Sequence, residues 1–157
     1  MSEPIIRRPI IRRAISRDLP AIIALLADDE LGKSREDPRL PLHQDYLDAF
    51  AAIERDDNQL LVVLVEAEDI IGCLQLSFLP GLSRRGLWRG QIESVRIAAA
   101  QRNRGLGAVL FNWAIAECRQ RNCGLVQLTT DKARPDALRF YEALGFTASH
   151  EGLKLAL

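Results

Sequence analysis

The stretch Val95-Arg96-Ile97-Ala98-Ala99-Ala100-Gln101-Arg102-Asn103-Arg104-Gly105-Leu106-Gly107-Ala108-Val109-Leu110 governs how the rest of the chain is read. A strand pattern ends, a polar turn rich in arginine and glycine follows, and an amphipathic helix begins. The first turn of a helix leaves about four backbone N–H groups without intrahelical partners, and the macrodipole favours an anion beside them. Gly105 and Gly107 let a phosphate approach the backbone with no Cβ in the way. Arg102 and Arg104 add charge-assisted donors. A phosphate-bearing ligand is therefore expected here. A Walker loop would end in Gly-Lys-Ser/Thr, and no Lys follows Gly107; a dinucleotide fingerprint would need a third glycine where Leu110 stands. What remains is Arg-x-x-Gly-x-Gly.

The flanking elements follow from periodicity. Upstream, about residues 88–98 read as a strand in which neither face is cleanly apolar, as either a bulge that shifts register midway or a simply exposed strand would leave it. Downstream, a helix runs from Gly105 to about Asn122 with Leu106, Val109, Leu110 and Trp113 as its stripe and Glu117–Arg121 as an i,i+4 pair. Leu125 to Thr129 is a short strand. Pro135 opens another helix and Gly145 ends it. Two short strands, near residues 146–148 and 153–157, are expected to finish the chain.

In the first half, Pro9 to Arg13 repeats Pro4 to Arg8, and the second copy reads as the first strand. Ser16 is placed as an N-cap for a helix carrying Leu19, Ile22, Ile23 and Leu26. Residues 28–41, with Gly32, Pro38 and Pro41, read as a surface loop. A helix follows over 43–55, then a buried strand over 60–65, a turn at 66–69 and an alternating strand over 70–78. The expected fold class is α/β, a mixed, mostly antiparallel sheet flanked by helices. Residues 1–8 are expected to form an N-terminal arm and 9–157 a single domain, as suits 157 residues.

At this point the sequence resembles the GNAT superfamily of N-acetyltransferases. Their cofactor signature, Gln/Arg-x-x-Gly-x-Gly/Ala, is similar to Arg102–Gly107 in the same strand-turn-helix setting. A later Phe/Leu-Tyr-Glu-x-x-Gly-Phe ending is similar to Phe140-Tyr141-Glu142-Ala143-Leu144-Gly145-Phe146. The close resemblance covers roughly residues 90–147. It implies a GNAT-like acyltransferase fold with acetyl-CoA as acyl donor and no metal. It also implies a cofactor contact set of Val95, Ile97, Arg102, Asn103, Arg104, Gly105, Leu106, Gly107 and Ala108. The strand supplying Val95 and Ile97 is implied to splay from its neighbour and pair its backbone with the pantetheine arm.

Acetyl transfer to an amine needs a neutral amine, a stabilised tetrahedral intermediate and a proton for the departing thiolate. The resemblance makes Tyr141 the candidate acid, and a phenol holds its proton at neutral pH. The helical spacing equally suits a core tyrosine, since Ala137, Leu138 and Leu144 share its face. Glu93 is the candidate base, half-buried at a strand centre, where burial would raise its pKa. A surface glutamate paired with Arg89 or Arg96 is the other reading. The family often has Asn seven residues before this tyrosine; here Arg134 stands there, and Asp131 or Arg134 is left to replace it. The loop 28–41, the Gly81–Gly86 linker and Trp88 are candidates to line the acceptor site. His43 and His150 lie outside any motif.

Twenty-one basic and 21 acidic residues give zero formal charge, so no broad nucleic-acid footprint is expected. No segment approaches the roughly 20 apolar residues that cross a bilayer, and the start lacks a signal-peptide pattern. Cys73, Cys118 and Cys123 have no metal-ligand spacing and read as reduced thiols. A cytoplasmic enzyme acting on a small-molecule primary amine in a ternary complex is expected, with a homodimer reasonable. The alternatives are a non-catalytic acyl-CoA sensor or a protein N-terminal or lysine acetyltransferase.

Overall fold

Five strands form one sheet in the order β1-β2-β3-β4-β5 in the computed structural model, which describes residues 8–157. The strands are β1 (Ile10–Arg13), β2 (Gln59–Glu66), β3 (Asp69–Leu79), β4 (Arg89–Ile97) and β5 (Leu125–Gln127). Neighbours are antiparallel from β1 to β4, and β5 lies parallel to β4. The helices are α1 (Leu19–Ala27), α2 (Gln44–Arg55), α3 (Ser83–Gly86), α4 (Leu106–Gln120) and α5 (Pro135–Ala143), of which α3 is a single tight turn. The mixed α/β architecture is the expected one. The proposed arm, Arg8 apart, lies outside the described residues.

The unbroken apolar run of β2 is explained by burial on both faces. Val62 and Leu64 face α4 together with Leu74, Leu76, Phe78 and Ile92, and α4 contributes Leu106, Leu110, Phe111, Ala114 and Cys118. Leu61, Val63 and Cys73 face the other way, against Leu19, Ile22 and Leu25 of α1 and Phe50 of α2. The buried stripe of α4 therefore follows 106, 110, 114 and 118. Val109, which the sequence reading put in the stripe, is 45% exposed. Arg121 does not pair with Glu117 here: its Nη1 donates to Asp57 O at 2.8 Å, and its guanidinium lies 4.0 Å from the centre of the Phe78 ring.

Two further expectations are corrected. A short 3₁₀ turn, Ser16–Asp18, precedes α1, so Ser16 is not its cap. Asp18 instead is buried and accepts from Ile15 N–H at 2.8 Å and from both terminal nitrogens of Arg12 at 2.6 and 3.0 Å. His43 does have a structural role, as the N-cap of α2 accepting from Asp45 N–H. No strand follows α5: residues 146–157 form none, and Leu153, Leu155 and Leu157 stand exposed. A strand pattern needs a free edge of matching length, and β5 offers three residues.

The Asp18 site carries a stability prediction. The Arg12 hydrogen bonds, opposed by burial and aided by Ile15 N–H, hold the Asp18 carboxyl below its ordinary value of 3.8. The unfolded chain then binds more protons at low pH, so this stabilisation is present above about pH 4 and is lost as pH falls below it. Asp18→Asn is expected to cost about 1–3 kcal/mol at neutral pH. Urea midpoints of both proteins between pH 7 and 2.5 should converge toward the acid end; a constant gap would mean another cause.

Candidate active site

Two breaks in regular pairing build the site. Opposite β3, residues Gln75 and Cys73 pair with Glu93 and Arg96, so β4 carries one extra residue between these rungs. Ser94 takes it up at φ 54. Of the two readings of the uneven faces, the bulge is the one that holds. Opposite β5, pairing stops at Gln91–Gln127, where the two side-chain amides close the last rung at 2.7 Å. β4 continues to Ile97 without a paired neighbour on that side, which leaves a gap in the pairing.

The bulge sorts the side chains. Val95 and Ile97 pack with the α4 core, while Arg96 stands opposite Cys73 on the α1 face. Glu93 lies opposite Gln75 and is exposed, not half-buried as its mid-strand position suggests. It pairs in the regular register before the bulge, and alternation with buried Ile92 turns it to the Gln75 face, outside either core cluster.

Past β4 the chain makes the arginine-glycine turn. Asn103 and Gly105 take positive φ, 63 and 73, and Gly105 is the residue before α4, with no side chain capping the helix. Val109 N–H is bonded back to Gly105 O, so Leu106, Gly107 and Ala108 are the first-turn residues whose N–H groups have no intrahelical acceptor. Gly105 is required by its φ, and a Cβ there would meet open space. A Cβ on Gly107 would meet Phe140 Cζ at 3.4 Å, an ordinary van der Waals contact, so the packing of α5 against α4 does not by itself demand glycine there. Arg104 is forked on Glu66, at 2.9 Å for each oxygen, and also meets Gln101. Arg102 is exposed and donates to Asp28 O at 3.4 Å.

Tyr141 is half-buried beside Phe111, Phe140 and Phe146, with ring centres 5.4, 5.5 and 6.2 Å away. Its ring packs against the core, as the helical spacing suits, and its hydroxyl feels the charges of Arg134 and Arg96. Burial pushes the phenol above 10, and the two arginines offset part of that rise.

Those arginines meet on a residue that sequence reasoning did not single out. Asp29, at the start of the α1–α2 loop, accepts from Arg134 Nη2 at 2.7 Å and lies 3.0 Å from Arg96 Nε. Burial alone would raise its pKa; bonds from Arg134 and Gly32 N–H and the charge of Arg96 outweigh it and hold the carboxyl below 3.8. Nothing local marks Asp29 among Asp28, Asp29 and Glu30; only the fold brings it to the gap. Arg134, not Asp131, points there. Asp131 accepts from Ala133 N–H and lies 3.7 Å from Arg35. The Gly81–Gly86 linker and Trp88 sit at the paired end of β4, where Trp88 O accepts from Gly124 N–H, away from this gap. Cys73 lies beneath Arg96, and burial pushes its thiol up to about 12, which removes it as a nucleophile.

Known proteins share this fold. Residues 20–146 match the model of the acetyltransferase (GNAT) family. Aminoalkylphosphonate N-acetyltransferase of Salmonella typhimurium is 30% identical over 140 residues, covering 89% of this chain and 86% of that protein. A crystal structure described as a transcriptional regulator from Bacillus halodurans C-125 is 49% identical, with a TM-score of 0.93 over 96% of this chain and 100% of that one. A Trypanosoma brucei acetyltransferase is 27% identical, with a TM-score of 0.77 over 96% and 100%. A match running through both the turn before α4 and the tyrosine of α5 leaves one assignment: the chain belongs to the acetyltransferase (GNAT) family, and it is an acyltransferase.

Proposed function

We propose that the protein is an acetyl-CoA-dependent N-acetyltransferase acting on the primary amine of a small molecule, by direct attack in a ternary complex. The observation that carries this is the gap between β4 and β5, with a phenol at its side and free helix N–H groups at its mouth. The family uses acetyl-CoA, whose pyrophosphate suits the N–H groups of Leu106, Gly107 and Ala108 and the nearby Arg102. The pantetheine then lies along the unpaired edge at Val95 and Ile97, bringing the thioester toward Tyr141. The amine nitrogen attacks the carbonyl carbon, the carbon–sulfur bond breaks, and the thiolate takes the Tyr141 proton. The proton lost by nitrogen goes to Glu93 through water, for which an exposed carboxylate is sufficient. The phenol is regenerated by proton return from solvent. The Salmonella relative acts on aminoalkylphosphonates, which are primary amines, and this favours a small-molecule acceptor.

The Bacillus halodurans relative, described as a transcriptional regulator, favours a second reading, an acyl-CoA sensor without turnover. Release of free CoA in an acceptor screen separates the two. Donor binding is tested first by melting. Acetyl-CoA at about 100 times its Kd should add about 2.7 kcal/mol of stability, raising Tm by roughly 5–10 °C for a domain of this size. No shift at millimolar acetyl-CoA would count against both readings.

We place the enzyme in the cytoplasm as a homodimer. Among the described residues no helix is long and apolar enough to cross a membrane. The alternating exposed Leu153, Leu155 and Leu157 and the short β5 at the sheet edge suit sheet completion by a second copy.

A further inference from the structure

We propose that Arg96 and Arg134 form a binding site for an anionic group of the acceptor, so that the preferred substrate is a short primary amine bearing a carboxylate, phosphonate or phosphate. This rests on the acetyl-transfer reading above and names the substrate class for the same site.

The two guanidiniums bring ten N–H donors to one place. Few acceptors meet them. Val95 O takes Arg96 Nη1 at 2.9 Å, and Asp29 Oδ2 takes Arg134 Nη2 at 2.7 Å. Arg96 Nε lies within ion-pair distance of the same Asp29 oxygen but out of line for a hydrogen bond, so that N–H is buried without an acceptor. One carboxylate faces two cations, and a positive charge is left over. A tie between the α1–α2 loop and the sheet needs one arginine. A second, partly desolvated beside the first, repels it and leaves a buried Nε–H without an acceptor.

A planar or tetrahedral oxyanion would resolve this imbalance, because guanidinium forks match its paired oxygens. The place also suits an acceptor rather than the donor. Arg96 stands on the α1 face of β4, whereas Val95 and Ile97 turn to the α4 face. Arg134 approaches from the start of α5, and both arginines are near enough to Tyr141 for their charge to act on its hydroxyl. An anion held there keeps a nearby amino group within reach of a thioester beside the phenol, which confines the acceptor to a short molecule. Asp29 acts as the positioning residue that keeps the two guanidiniums together when the anion is absent.

The test measures kcat/KM with acetyl-CoA for β-alanine, aminomethylphosphonate and propylamine. β-Alanine and aminomethylphosphonate separate a planar from a tetrahedral anion, and propylamine lacks both. At least one anionic amine should exceed propylamine by about 30-fold or more. In Arg96→Gln that preference should fall to within about threefold, chiefly through KM for the anionic amine. Equal use of all three amines by the unaltered protein would overturn the anion site while leaving the acetyltransferase reading intact. So would equal losses for all three in Arg96→Gln. If no amine releases CoA, the transfer reading fails, and the site is judged by melting with methylphosphonate and with acetate. A rise in Tm that disappears in Arg96→Gln supports it, and no rise with either anion overturns it.

Discussion

Tyr141→Phe is expected to lower kcat for acetyl transfer by about 10²–10⁴-fold, with little change in KM for acetyl-CoA and little change in Tm. The ring is held by edge contacts with Phe111, Phe140 and Phe146, and phenylalanine keeps all of them. The hydroxyl makes none of the hydrogen bonds found among the described side chains, so its removal leaves no protein group unsatisfied. What is lost is the proton for the departing thiolate. Because burial keeps the phenol protonated beyond pH 10, the unaltered enzyme should show no loss of kcat from this group until pH exceeds that value. The sign follows from the role: an acid fails when it deprotonates, and a raised pKa moves that failure upward. Steady-state rates of thiol release for both proteins at neutral and alkaline pH check the assignment. An unchanged kcat in Tyr141→Phe would mean that the thiolate departs without this phenol.

Leu110→Ala is the second large effect, and it is one of stability. Leu110 is fully buried where α4 crosses the sheet, within the cluster formed with Leu64, Leu74, Leu76 and Ile92. Truncating a leucine in such a place costs the lost transfer energy plus the cavity, about 2–5 kcal/mol. For a domain of this size that lowers Tm by on the order of 10 °C. Val109→Ala on the same helix should cost less than about 1 kcal/mol, because Val109 is largely exposed. Thermal melts of the pair decide which of these neighbouring positions belongs to the core. Equal losses would mean that α4 is rotated from the packing described above.

That contrast shows where the sequence was sufficient. The turn Arg102–Gly107 could be read because a helix start with glycines and arginines has a local physical meaning. The bulge in β4 could be read as one of two alternatives because a register change leaves both faces mixed, and Ser94 is where it falls. The parting of β4 from β5 came from the family resemblance, and the pairing bears it out. Of the α4 stripe Leu106, Leu110 and Trp113 meet the core and Val109 does not, since Val109 and Phe111 are both apolar neighbours of Leu110 and only the sheet chooses between them. The exposure of Glu93 was missed because alternation shows which face of β4 it occupies but not whether anything covers that face. The cluster of Asp29, Arg96 and Arg134 was invisible. Its members come from a loop, a strand and a helix start, and attraction between distant charges leaves no spacing in the chain. The final two strands failed for a related reason. Leu153, Leu155 and Leu157 alternate as a strand does, yet alternation states a preference and cannot supply a partner edge.

The contact between Gly107 and Phe140 carries a consequence for how this protein can vary. Gly107 lies in the first turn of α4 and Phe140 on α5. A methyl group at 107 would touch the Phe140 ring at ordinary van der Waals distance, so alanine is accommodated there without moving either helix. A side chain longer than alanine that turned toward α5 would overlap the ring, and would have to be matched by a smaller or differently turned side chain at 140.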